Sequence, residues 1–331
     1  MFELLSCWKI NYKFLKIKKL HIKNFKSIAD LEIIEPNPFT VFVGPNGSGK
    51  SNIFEALEFL KFERNERLFG GLETLKHRLS NHRWYEIEIS TDIDTFIYRR
   101  EYSFADTFIA DSYFPDIKRD EREKQIKNAI QRIFINKLGG QKVNFQDDFR
   151  LSFSTDNLEK VLKRVIKSYT IKDEIAEWLS LFIPGFDRMD IISSNLSNTD
   201  TLLIYEEGID KPFTKELLSD GTYNILALLT AVFQSNEPQF LCIEEPENGL
   251  TPDVVKEMVT LFRNACEEKG HYIWLNTHSQ SLVSQLTPDE IITVNKIKGE
   301  TKIKQFKGKD FHGLSMDEAW LTNTLGGGLP W

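Results

Sequence analysis

The chain has 331 residues, 42 Lys and Arg against 49 Asp and Glu, and 41% hydrophobic residues. That length buries a full core without covalent staples, as two ordinary domains or as one large domain with an insertion, and the composition excludes a disordered chain. A formal charge of −7 argues against a surface coated in basic residues for nucleic acid and leaves room only for a local basic groove.

Met1–Tyr12 is mildly apolar but lacks a basic leading region and a small-residue cleavage site, so residues 1–13 are expected to be a leader to the fold rather than a signal peptide. From Lys16 to Phe25 the pattern alternates, with Leu20 and Ile22 facing away from His21 and Lys23, which predicts a half-buried strand. Phe39–Val43 is apolar throughout, as a strand covered on both faces should be. It runs into Gly44–Ser51 and then a helix with Ile53, Leu57 and Leu60 along one face. Tyr85–Ile89 alternates again, and Phe96 and Tyr98 resume the pattern after Thr91–Asp94. An antiparallel hairpin over about 84–104 is expected.

Between Pro115 and Glu177 the composition shifts to 14 Lys and Arg against 11 Asp and Glu, in helical-looking segments such as Arg119–Leu138 and Leu158–Ser168. This predicts an inserted helical subdomain over about 115–183, too short and irregular for a long coiled coil. Beyond Leu202 strands and helices alternate. A helix opens after Leu217–Gly221, followed by a buried strand at Phe240–Ile243, a helix over Asp253–Cys266 and a strand at Tyr272–Asn276. A strand pair at Ile291–Val294 and Lys302–Phe306 closes the pattern. The expected division is a discontinuous head over 14–64 and 200–331, with an insertion at 65–199. Cys7, Cys242 and Cys266 are scattered without a CxxC pair, which excludes a disulfide framework and fits a reducing, cytoplasmic setting. No run of about eighteen apolar residues occurs, so no membrane span is expected.

Gly44-Pro45-Asn46-Gly47-Ser48-Gly49-Lys50-Ser51 satisfies GxxxxGK[ST] between a predicted strand and a predicted helix, the context a phosphate-binding loop requires. Glycines let the backbone curl so that successive N–H groups point at phosphate oxygens, and the helix N-terminus adds positive partial charge. The nucleotide-binding set is Gly44 to Asn52, with Lys50 bridging the β- and γ-phosphates and the Ser51 hydroxyl as a Mg²⁺ ligand. Phe240–Glu247 is an apolar strand that ends in adjacent carboxylates, which cost several kcal/mol to bury unless a cation or donors meet them. A Mg²⁺·nucleotide at the strand's C-terminal edge supplies that cation, with Glu244 holding the metal and Glu245 polarising the attacking water. Taken alone, the same motif also fits an acidic loop on a solvated edge. Ser219, in Leu218–Thr222, is explained locally as the N-cap of the next helix. His278, in Thr277-His278-Ser279, closes the strand next to the carboxylates.

In this order, phosphate loop, LSDGT, IEEPE and THS resemble an ABC-type ATPase head, specifically the branch containing RecF, SMC heads and the overcoming-lysogenization-defect (OLD) ATPases. HIKNFKSIADLEI, VFVGPNGSGKSNIFEALEFL and IEEPENGLTP carry the resemblance over most of the chain, and it is weak inside Phe62–Thr201. Glu244, where transporters and SMC heads usually have aspartate, favours the OLD-like side. The resemblance implies an α/β P-loop NTPase fold of ABC-ATPase type: a mixed sheet flanked by helices, an antiparallel β subdomain and an inserted helical arm. It implies Gly44, Asn46, Gly47, Gly49, Lys50 and Ser51 as Walker A, Glu244 as the Walker B acid and Glu245 as the catalytic base. Ser219, Asp220 and Gly221 match the signature that contacts a γ-phosphate held by a second protomer. His278 matches the γ-phosphate-sensing histidine, and Asn248–Thr251 the D-loop at the dimer contact. A Q-loop glutamine is not assigned, since Gln125, Gln131, Gln141 and Gln146 all fall in the insertion.

The function implied is conversion of ATP and water to ADP and phosphate. It is coupled to head-to-tail pairing as a homodimer or higher even-numbered oligomer, in DNA-linked or anti-phage work. Only 52 residues follow Ser279, without the acidic cluster of a TOPRIM nuclease. The expected partner is therefore a separately encoded effector such as a nuclease, docked through the insertion or through Ser315–Trp331. Packing of that tail on the sheet is the equal alternative. DNA remains an open candidate partner, because the positive excess of the insertion is slight. An ABC transporter ATPase subunit is the alternative, opposed by the NFKSI opening and the double glutamate. A small-molecule P-loop kinase would leave LSDGT, the double glutamate and THS without purpose.

Overall fold

The computed structural model describes residues 16–61, 72–77, 79, 84–102, 108–111, 117–135, 149–194 and 199–326. The expected leader at 1–13, Gln141, Gln146 and the last five residues of the tail lie outside them.

Three layers stack on one another. β1 (Ile17–Phe25), β2 (Ile28–Ile34), β4 (Trp84–Thr91), β5 (Thr95–Tyr102) and β6 (Phe108–Asp111) form an antiparallel sheet in the order β2-β1-β4-β5-β6. Its alternation is the one the sequence carries. Leu20 and Ile22 are buried, while Lys19 and Lys23 pair across to Glu88 (2.6 Å) and Glu86 (3.0 Å). Half-buried surface pairs of this kind add about 1 kcal/mol or less each, and burial of the other face fixes the register. The central sheet runs β14-β13-β3-β12-β11-β7, from β3 (Phe39–Val43), β7 (Ile130–Phe134), β11 (Phe240–Glu244), β12 (Tyr272–Thr277), β13 (Ile291–Ile297) and β14 (Glu300–Gln305). All its pairings are parallel except β13 with β14.

Because strand side chains alternate, each central strand feeds two cores. Phe42, Phe240, Cys242 and Trp274 pack with α1 (Lys50–Lys61) against the antiparallel sheet. Val41, Val43, Leu241, Ile243, Ile273 and Leu275 pack on the other side against α4 (Leu158–Val165), α5 (Tyr169–Phe182), α6 (Asp220–Phe233) and α7 (Pro252–Lys269). A small sheet of β8 (Phe186–Ser194), β9 (Thr199–Glu206) and β10 (Phe213–Thr214) lies at the edge of this helical layer.

One expectation is corrected. The helix expected over Arg119–Leu138 is α3 (Ile117–Ala129), which stops where Ile130–Phe134 becomes an edge strand of the central sheet, with Arg132 in register with Cys242. The described residues of the expected insertion pack on the head. The hairpin of β4 and β5 completes the sheet begun by β1, and Leu158, Val161, Leu162, Ile175 and Leu179 enter the same core as α6. Local helical composition hid these long-range pairings. At the other end, α9 (Met316–Leu321) buries Met316 and Trp320 in that core, so the described part of the tail packs on the head.

Below the N-terminal ends of the parallel strands lies a buried amide network. Gln234 donates to Gln131 (2.8 Å) and Gln239 (3.0 Å), and accepts from the Leu151 N–H (2.8 Å). His271 closes it by accepting the Gln239 N–H at Nδ1 (3.2 Å). Burial lowers the His271 pKa to about 4, below the ordinary 6.5. The unfolded chain therefore takes up this proton first, so stability should fall as pH drops from 6.5 towards 4 and level off below that. The loss amounts to ~3 kcal/mol from this group. Urea unfolding at stepped pH should show a shallower acid slope in His271→Gln than in the wild type, and equal slopes would remove His271 as a cause.

Candidate nucleotide site

The site stands at the C-terminal edge of the central sheet, where β3, β11 and β12 end together. Gly44–Gly49 turns from β3 into α1, with positive φ at Gly47 (76°) and Gly49 (103°), a region open to glycine at little cost. Gly44 and Gly49 are further constrained by close approach. A Cβ on Gly44 would collide with the Val294 carbonyl, and one on Gly49 with the Thr301 hydroxyl. Thr301, on β14, braces the loop by donating to the Ser48 carbonyl (3.0 Å) and bonding the Ser27 hydroxyl (2.6 Å), which in turn accepts from the Asn52 amide (2.6 Å). The Ser48 hydroxyl is buried with no protein partner.

Lys50 opens α1, and its ammonium folds back onto the loop, donating to the carbonyls of Gly44 (2.7 Å) and Pro45 (3.1 Å). Burial lowers its pKa, against the opposing pull of Glu245, Glu244 and Glu247. The next residue, Ser51, donates its hydroxyl hydrogen bond to Glu244 Oε2 at 2.8 Å, across 193 positions of sequence. Glu245 follows at φ 46°, an unusual conformation for a side chain of its size. Its N–H is held by the Asn276 carbonyl (3.0 Å), while its carboxylate meets His278 Nδ1 (3.2 Å) and accepts from the Asn248 amide (3.2 Å). Glu247 is buried, accepts from the Thr277 hydroxyl, and its pKa is raised by that burial.

The structure thus brings Lys50, Ser51, Glu244, Glu245 and His278 to one edge. Ser219, Asp220 and Gly221 lie elsewhere, at the N-terminus of α6. Ser219 caps that helix by accepting from the Thr222 N–H (3.0 Å), which is the local role its position suggested. Gly221 is packed so tightly on Gly249 that a Cβ would overlap the Gly249 carbonyl, and Asn224 donates to the carbonyls of Pro246 (2.9 Å) and Asn248 (2.7 Å). The exposed Ser219 and Asp220 therefore share one surface with the exposed Asn248 and Gly249. Of the candidate glutamines, Gln131 is consumed in the buried amide network and Gln125 is exposed on α3.

Sequence reasoning missed Arg132, Asn276 and Thr301. Only Arg132 left a signal, as a lone cation inside the apolar run Ile130–Phe134.

A family model described as "AAA domain, putative AbiEii toxin, Type IV TA system" matches residues 76–284, and one described as "RecF/RecN/SMC N terminal domain" matches residues 16–76. Among curated proteins, the chain is 52% identical over 44 residues to the chromosome partition protein Smc of Methanocaldococcus jannaschii, covering 13% of this chain and 4% of that protein. It is 26% identical over 216 residues to an uncharacterized protein of the same organism, covering 63% of this chain and 57% of that one. It is 41% identical over 54 residues to the replication and repair protein RecF of Lactococcus lactis, covering 16% and 15%. The chain thus spans under two thirds of the length of these relatives. Among solved structures, an Smc head bound to the C-terminal winged-helix domain of ScpA superposes with a TM-score of 0.63 at 18% identity, covering 92% of this chain and 99% of that one. An Smc head with extended coiled coil from Pyrococcus furiosus, bound to the C-terminal domain of ScpA, gives 0.62 at 17%, covering 92% and 97%.

Proposed function

This chain belongs to the AAA-domain family whose model spans most of it and is an ABC-type ATPase head of the RecF/SMC-like branch, and we propose that it works as an ATP-driven dimerisation switch. The observation that carries this reading is the Ser51–Glu244 hydrogen bond at 2.8 Å, beside Lys50 and beside the Glu245–His278 pair. Residues from three strand ends meet where phosphate, metal and attacking water must meet.

The loop N–H groups after Pro45, which has none, and the α1 N-terminus receive the phosphates, and Lys50 serves the β- and γ-oxygens. Ser51 and Glu244 are adjacent hard oxygen donors, a pair that would hold Mg²⁺. When bound, the ion neutralises charge on the β- and γ-phosphates. Glu245 takes the proton of the attacking water, held in place by Asn248 and by its backbone bond to Asn276. His278 reports the γ-phosphate to Glu245 through their 3.2 Å contact.

Ser219, Asp220 and Gly221 serve the ATP held by a second copy. The packing of Asp220 and Gly221 against Gly249 makes signature and D-loop one continuous face for that copy. Pairing and release of heads then drive a separate effector, as a nuclease or another DNA-linked partner would require.

Complementation tests the shared site. Lys50→Ala and Ser219→Arg should each be inactive alone. Mixed in equal amounts, they should recover about a quarter of wild-type turnover, since half the dimers are hybrids and each hybrid has one intact composite site. Mixtures as inactive as the separate variants would sink the second-copy reading.

A further inference from the structure

We infer that Arg132 is a positioning residue for the metal-binding carboxylate, joining Glu244 to the segment around Phe153; this rests on the assignment of Glu244 above. Arg132 is nine-tenths buried on β7, next to β11. Its Nε lies 2.5 Å from Glu244 Oε1, and its Nη2 contacts the same oxygen. Nη1 reaches back to α1, to Glu58 (3.0 Å) and Glu55 (3.4 Å). Glu55 is paired in addition with Lys26.

The two oxygens of Glu244 are therefore divided. Oε1 is taken by Arg132, and Oε2 is presented to the Ser51 hydroxyl. A carboxylate at a strand end has free χ rotation, and a guanidinium fork on one oxygen removes it, leaving the other aimed at the metal position. The arrangement also sets the local charge. Burial works against the Arg132 cation, yet Glu244, Glu58 and Glu55 outweigh it and hold its pKa above the ordinary value. Burial likewise raises the Glu58 carboxyl, in spite of Arg132.

The guanidinium lies 5.0 Å from the Phe153 ring centroid. The Phe153 carbonyl accepts the Phe134 N–H (2.7 Å), and the two rings stack. A shift of the Phe153 segment is thus transmitted to Arg132 and from there to Glu244, without touching the phosphate loop.

The test separates metal use from nucleotide binding. Binding of a fluorescent N-methylanthraniloyl ATP is titrated in EDTA and across a Mg²⁺ series. Arg132→Lys keeps the charge but cannot fork. It should raise the Mg²⁺ concentration needed for half-maximal enhancement about tenfold, while the affinity in EDTA moves less than about twofold. Phe153→Leu, which keeps Arg132 and is used whether or not Arg132→Lys folds, should shift the Mg²⁺ midpoint in the same direction, by about threefold. An unchanged midpoint in the folded variants, or an equal loss in EDTA and in Mg²⁺, would overturn the assignment. A wild-type protein that binds nucleotide but shows no Mg²⁺ enhancement would instead count against Glu244 as a metal ligand, and no binding at all against the ATPase reading itself.

Discussion

Replacing Glu245 with glutamine should leave ATP binding intact, slow hydrolysis by about 10²–10⁴-fold, and accumulate ATP-bound dimers. The substitution is nearly isosteric. The backbone bond of residue 245 to Asn276 and its left-handed φ are fixed by the chain and survive it. What the side chain loses is its charge, including that facing His278, and with it the ability to accept a proton. The groups proposed to meet the phosphates are Lys50 and Ser51, and the one proposed to hold the metal is Glu244, so affinity for ATP should change little. Single-turnover hydrolysis gives the rate, and light scattering with ATP and Mg²⁺ gives the mass. Hydrolysis at the wild-type rate would remove Glu245 as the base. Slow hydrolysis by a persistent monomer would keep the base and remove the dimer switch.

Much of this site was legible in the sequence because its chemistry is concentrated in short motifs. A strand, a glycine-rich turn and a helix lie consecutively from Phe39 to Lys61, so the phosphate loop needs no tertiary information. Glu244 and Glu245 were legible because adjacent carboxylates that end an apolar strand are costly to bury unless a cation or donors meet them. The illegible parts are held by long-range pairing. Ile130–Phe134 follows a highly charged helix directly, and only its register with Phe240–Glu244 makes it a central-sheet strand and brings Arg132 to Glu244. Thr301 reaches the phosphate loop across 253 positions, through a hairpin whose own pattern shows only alternating strands. The helices α4 and α5 looked like an arm because their polar faces dominate the composition. Their apolar faces, with Leu158, Leu162, Ile175 and Leu179, belong to the core around α6.

Lys50→Ala should weaken ATP binding on the order of 10²–10³-fold and abolish turnover, since removing one partner from a buried charge set costs about 3–5 kcal/mol and each 1.4 kcal/mol is tenfold. The Lys50 cation is held by the Gly44 and Pro45 carbonyls, and burial pulls its pKa down while Glu245, Glu244 and Glu247 push it up. Without it, a triphosphate meets the Glu245, Glu244 and Glu247 carboxylates with no ammonium on the loop to offset them. The folded state itself loses little, because the desolvation of Lys50 disappears together with its hydrogen bonds. Thermal unfolding of the nucleotide-free variant should therefore stay close to wild type, while stabilisation by added ATP disappears. Lys50→Arg separates charge from shape. It restores the cation as a planar, delocalised fork in place of a compact ammonium, so ATP affinity should recover in part and turnover should not. Equal ATP-induced stabilisation in wild type and Lys50→Ala would mean that nucleotide binds elsewhere, and would remove the phosphate loop from the mechanism.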